Sequence, residues 1–105
     1  MQYVYPAVFT YYEKEKVYLV DFPDDESWFT EGYSLIDAMK NAADLLNLAM
    51  WSAEKYGDKI PRASKLEDIE LPDKGFAQYI FADTEAYAQM MSYRKLVEAE
   101  KFESA

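Results

Sequence analysis

The chain has 105 residues, and 11 Lys plus Arg against 20 Asp plus Glu give a formal net charge of −9; the length fits one small domain and the charge opposes nucleic acid, whose phosphates need clustered cations. Half of the residues are hydrophobic and 17% are aromatic, too much apolar material for a disordered acidic chain. Cysteine and histidine are both absent, which excludes disulfides, thiolate and imidazole metal sites, Cys nucleophiles and His general bases.

Gln2 to Thr10 alternates Tyr3, Tyr5, Ala7 and Phe9 with Val4 and Val8, a strand with two apolar faces. Pro6 cannot donate to a ladder, which puts this strand at an edge, at a start or at a bulge. Glu13-Lys14-Glu15-Lys16 is a hairpin connection to a second strand, Val17 to Phe22, ended by Pro23. After the acidic turn Asp24-Asp25-Glu26, a short third strand runs from Trp28 to Glu31 and stops at Gly32. Ser34 then caps a helix from about Leu35 to about Tyr56, with Asp37 at the third helical position and Gly57 as terminator. Leu35, Met39, Ala42, Leu46, Ala49 and Ala53, widened by Ile36, Ala43 and Met50, form the face expected to lie on the sheet. The stretch from Gly57 to Gly75 carries Pro61 and Pro72 and reads as a long surface connection, pinned by Leu66, Ile69 and Leu71. Phe76 to Ala82 is a fourth strand, expected to be central because it is apolar on both parities. Thr84 caps a second helix with a loose face of Tyr87, Met90, Met91, Leu96 and Val97, and the tail from Glu100 to Ala105 is expected to fray. The whole is one domain over 1–105, with a core over about 1–83 and a C-terminal helix and tail over about 84–105.

Several linked motifs now carry a resemblance. Phe22-Pro23-Asp24, Phe29-Thr30-Glu31-Gly32, Ser34-Leu35, Ala38, Asn41-Ala42 and Gly57-Asp58-Lys59-Ile60-Pro61 resemble the HicB antitoxin family. Tyr3 to Phe9 looks like its opening strand, and Phe76 to Ala82 with Asp83, Glu85 and Tyr87 fits its later strand. The resemblance implies an α+β fold of order β-β-β-α-β-α, a single antiparallel-rich sheet covered by a long helix, as in a partial RNase H-like layer. Two departures stand out. Between Asp24 and Phe29 the family has a Leu-Pro-Gly-Cys type turn, where this chain has Asp25-Glu26-Ser27-Trp28. Many members also continue into a DNA-binding domain, whereas Thr84 to Ala105 is too short and too acidic to serve as one.

Candidate functional residues fall in two places. Asp21, Asp24, Asp25 and Glu26 could in principle hold Mg²⁺ for a nuclease, but residues of a strand and a tight turn point apart, and no distant carboxylate is identifiable as a further ligand. A solvated or partner-facing turn is the better reading, and Asp24, Asp25, Glu26 and Trp28 are assigned to partner contact. On a helical wheel at about 100° per residue, Leu48 and Trp51 fall opposite Leu35, Met39 and Leu46. Large apolar groups on that face favour a contact patch, assigned to self-association; an exposed sheet edge is the other route. The ten tyrosines lack the basic groove that base stacking requires, and core edges or protein interfaces suit them better.

The resemblance implies a non-enzymatic antitoxin that binds a small basic HicA toxin, an mRNA interferase with a catalytic histidine, by charge complementarity. A different class, an orphan homo-oligomeric scaffold or regulatory module without a toxin, is the alternative. A homo-oligomer is expected because so short a chain buries a modest fraction of its surface. No cofactor, direct nucleic-acid contact or membrane association is expected. Met1 to Tyr5 has neither a basic nor an apolar leader pattern, and no apolar run is long enough to span a bilayer, so the expected location is the cytoplasm.

Overall fold

Residue alternation along the first strand organises the sheet. In the computed structural model, which describes residues Met1–Glu103, β1 (Gln2–Tyr12) turns Tyr5, Ala7 and Phe9 inward, and β2 (Val17–Asp21), β3 (Phe29–Gly32) and β4 (Gly75–Asp83) pair around it in the order β3-β2-β1-β4. Every pairing is antiparallel. The helix α1 (Leu35–Tyr56) crosses one face, and α2 (Thr84–Glu103) leaves the end of β4. Among the described residues no helix is long and apolar enough to cross a membrane.

Two expectations about the sheet change. β4 is an edge strand, although both its parities are apolar: Ile80 and Ala82 enter the core, while Tyr79 on the other face engages the long connection. Pro6, conversely, lies in an interior strand, and the ladder explains why it is tolerated. The Asp83 amide turns away from β1 to the Asn47 side chain (3.0 Å), and the Gly75 amide turns to the Pro72 carbonyl (3.0 Å). Ladder groups alternate along a strand, so the odd-numbered residues of β4 point outward. Pro6 is opposite Tyr79, and the ladder asks no amide of it on that side. On its other side β2 has already ended, with Asp21 opposite Val8. Position 6 is a local edge inside a central strand.

The core joins Tyr5, Ala7, Phe9, Val20, Phe22, Ile80 and Ala82 of the sheet layer to Ala38, Ala42, Leu46 and Met50 of α1. This stripe is rotated from the expected one at the helix start, where Leu35, Ile36 and Met39 are exposed and Ala38 is fully buried. Gly32 sets that rotation. A Cβ there would lie 2.3 Å from the Ala38 nitrogen, so helix and strand approach too closely for any side chain at position 32. The helix ends behave as read: Ser34 Oγ accepts from the Asp37 amide (3.1 Å), and Gly57 takes a left-handed φ of 70°.

The connection from Gly57 to Gly75 is tied down at successive points. Ile60 packs on the core, Tyr5 Oη donates to the Pro61 carbonyl, Ser64 donates to Asp24, and the Leu66 amide donates to Tyr79 Oη (2.9 Å). Leu66 and Ile69 are half-buried, whereas Leu71 is exposed and pins nothing. At α2 the cap is Asp83 and not Thr84, since Asp83 Oδ1 accepts from the Glu85 and Ala86 amides (3.1 Å each). Those bonds, led by the one from Ala86, hold the Asp83 carboxyl below its ordinary pKa. The helix continues through Glu100 to Glu103 where fraying was expected; Ser104 and Ala105 lie outside the described residues.

Candidate functional site

The acidic turn after β2 is built by its own side chains. Asp24 accepts from the Ser64 amide (2.9 Å) and hydroxyl, and Asp25 Oδ1 accepts from the Ser27 amide (2.9 Å) and hydroxyl (2.6 Å). Trp28 stands edge-on to Tyr5 (5.2 Å between ring centroids) and Phe22 (6.0 Å). Burial, reinforced by the Asp24 charge, raises the Tyr5 pKa. Three of the four residues assigned to partner contact thus have structural duties, and together they present Glu26, which is exposed. The two aromatics at this point exchange expected places: Trp28 packs on the core and Phe29 is 64% exposed. Phe29 is paired with Asp21 at the edge, a parity that faces away from α1. Among the described residues no group of three or more carboxylates is arranged to hold a metal ion.

Leu48 and Trp51 lie against α2. The Trp51 ring meets Tyr87 edge-on at 6.1 Å and carries the Lys55 ammonium over its face at 4.8 Å. Leu48 stays half exposed beside Tyr87, Met90, Met91 and Arg94. A polar knot fixes the start of α2. Glu54 accepts from Tyr3 Oη (2.6 Å) and from Thr84 Oγ1 (3.1 Å), and the N-terminal ammonium donates to Thr84 Oγ1 (3.1 Å). The Glu54 bond pushes the Tyr3 pKa up to about 12, and the same bond lowers that of Glu54.

A surface that the sequence reading missed lies where β3 meets α1. Tyr33, Leu35, Ile36 and Met39 are exposed there, close in sequence to exposed Phe29, and Tyr33 shares a shallow depression with Glu31, Asp37 and Lys40. Large apolar groups with a charged border are the composition of a protein contact, an apolar centre with a polar rim. The signal was present in the sequence as a stripe wider than one sheet-facing side needs: Ile36 and Met39 cannot both share a face with Ala38.

No family model matches the sequence, and no curated protein matches it. Solved structures do resemble the fold. A chain of a toxin–antitoxin complex from Streptococcus pneumoniae aligns with 83% of this chain and 73% of its own, at 21% identity and a TM-score of 0.74. A chain of the HicA3 and HicB3 toxin–antitoxin complex aligns over 77% of this chain and 99% of its own (20% identity, TM-score 0.59). The N-terminal domain of the Burkholderia pseudomallei antitoxin HicB aligns over 77% and 96% (19% identity, TM-score 0.61). The chain therefore has the α+β fold of a HicB N-terminal domain, in agreement with the order of elements read from its sequence.

Proposed function

We propose that this chain is the antitoxin of a HicA/HicB-type pair, a non-enzymatic inhibitor that binds a small basic mRNA-interferase toxin. The observation that carries the reading is the match of 83% of the chain, at a TM-score of 0.74, to a chain of a toxin–antitoxin complex. A net charge of −9 supports it, because an acidic surface steers and holds a basic partner whose own task is to bind RNA. The toxin contact comprises Glu26 on its braced turn and the apolar cluster of Tyr33, Leu35, Ile36 and Met39, with Glu31 and Asp37 at its border. Asp24, Asp25 and Trp28 serve that contact by positioning the turn. Inhibition is steric: the antitoxin covers the surface that RNA must reach, which requires neither a cofactor nor chemistry and suits a cytoplasmic protein.

The test is co-purification with the small protein encoded beside this chain, followed by RNA cleavage with and without the complex. A stable complex that silences cleavage is expected. A neighbouring basic protein that cleaves RNA equally well in its presence overturns the proposal.

A further inference from the structure

The two edges of the sheet are not equivalent. β3 is four residues long and carries Glu31, whose carbonyl accepts from Asn41 Nδ2 (2.7 Å); shortness, charge and a side-chain cap are the ordinary protections of an edge. β4 is nine residues long, and from Phe76 to Ala82 it contains no charged residue. Its outward backbone groups belong to the odd-numbered residues, because the Asp83 and Gly75 amides point that way. Those two amides are satisfied, by Asn47 and by the Pro72 carbonyl. Among the described residues the outward amides and carbonyls of Ala77, Tyr79 and Phe81 have no protein partner.

We propose that this open stretch of β4 pairs antiparallel with the same stretch of a second copy of the chain, joining two four-stranded sheets into one. The closed ends fix the register. Only one antiparallel arrangement uses all three open residues on both strands: Tyr79 opposite Tyr79 of the second copy, and Ala77 opposite Phe81 in both directions. Each such pair exchanges two hydrogen bonds, about six in total. The side chains are compatible with this register, which sets each Phe against an Ala (Phe81 opposite Ala77, Phe76 opposite Ala82) and the two Tyr79 side chains against each other. At the Asp83 end, Phe76 of the second copy arrives beside a depression of about 270 Å³ whose apolar wall is Phe81, Tyr87 and Met90 and whose polar wall is Asp44, Asn47 and Asp83.

A second copy suits this edge better than a basic partner. From Phe76 to Ala82 the strand itself carries no charge in a chain of net charge −9, and the charges beside Tyr79 are one of each sign, Lys65 and Glu67, so two identical strands meet there without like charges face to face. Resting on the function proposed above, which puts the toxin contact at the β3 end of the sheet, the β4 pairing leaves that contact free.

The chain has no cysteine, which allows a direct test. In the proposed register the two Cα atoms at position 79 are about 5.5 Å apart, within the span of a disulfide. The Tyr79→Cys variant is therefore expected to form a covalent dimer on mild oxidation, whereas Leu96→Cys on the exposed end of α2 forms no covalent dimer under the same conditions. Light scattering on the unmodified chain is expected to give twice its 12.3 kDa, and Phe81→Lys to weaken the dimer at least tenfold with an unchanged circular dichroism spectrum. Trp51→Glu is expected to leave the dimer intact. A monomeric unmodified chain at 100 μM-scale concentration, a dimer that survives Phe81→Lys, or one that dissolves only on Trp51→Glu each overturns the proposal.

Discussion

Replacing Gly32 by Ala adds one methyl group at the point where β3 and α1 touch. The new Cβ would lie 2.3 Å from the Ala38 nitrogen and 2.6 Å from its Cα, both backbone atoms. Neither can swing aside as a side chain does, so the first turns of α1 must lift off the strand. That movement loosens Ala38 and Ala42 in the core and stretches the 2.7 Å bond from Asn41 to the Glu31 carbonyl. Overpacking of this kind costs about 3 kcal/mol, a large part of a total stability of about 5–15 kcal/mol. For a domain of this size the melting temperature should fall on the order of 15 °C. Urea unfolding followed by far-UV circular dichroism measures the cost, and adding Ala38→Gly supplies the control. Because the obstacles are backbone atoms, that second change should not restore stability. A Gly32→Ala variant within about 0.5 kcal/mol of the parent, the range of ordinary surface substitutions, or one rescued by Ala38→Gly, refutes the close approach as the reason for glycine.

Gly57 offers the contrasting case, because its φ is 70° and a Cβ there would meet nothing within 4 Å; Gly57→Ala should cost only about 1 kcal/mol by the same urea assay, from the left-handed backbone alone. Asp24→Ala removes the acceptor of two Ser64 bonds, and it should raise hydrogen exchange and proteolysis between Gly57 and Gly75 while leaving α1 protected. The Tyr3 pKa is raised from 10.0 to about 12, so the stability drawn from its bond to Glu54 is present below pH 10 and lost as the pH rises through about 12. The Glu54 pKa is lowered, so its share is present above the ordinary carboxylate range and lost in acid, as the pH falls through the lowered value. An ultraviolet titration should lose the amplitude of one tyrosine at about pH 12 on Tyr3→Phe; an unchanged curve in that range would contradict the assignment.

Much of the fold was legible because local and global signals agree. Ser34, Gly57 and the polar hairpin from Glu13 to Lys16 each demand a particular backbone, and the structure supplies it at each place. What was misread depended on partners distant in sequence. Pro6 reads as an edge, start or bulge position because the sequence does not reveal that β2 stops opposite Val8. β4 reads as central because apolar residues on both parities look alike whether a neighbouring strand or a packed connection touches them. The stripe of α1 rotated because a glycine six residues before Ala38 sets the approach of helix and strand. In the acidic turn, charge pattern drew attention to Asp24 and Asp25, yet their carboxylates are engaged by Ser64 and Ser27, a use of charge that only the folded loop discloses.

The most direct measurement titrates the chain against the RNA-cleaving activity of the small protein encoded beside it. Cleavage should fall linearly to zero at a fixed stoichiometric ratio, and Ile36→Lys should weaken inhibition at least tenfold without loss of fold. Cleavage unaffected by excess of this chain would contradict the antitoxin account.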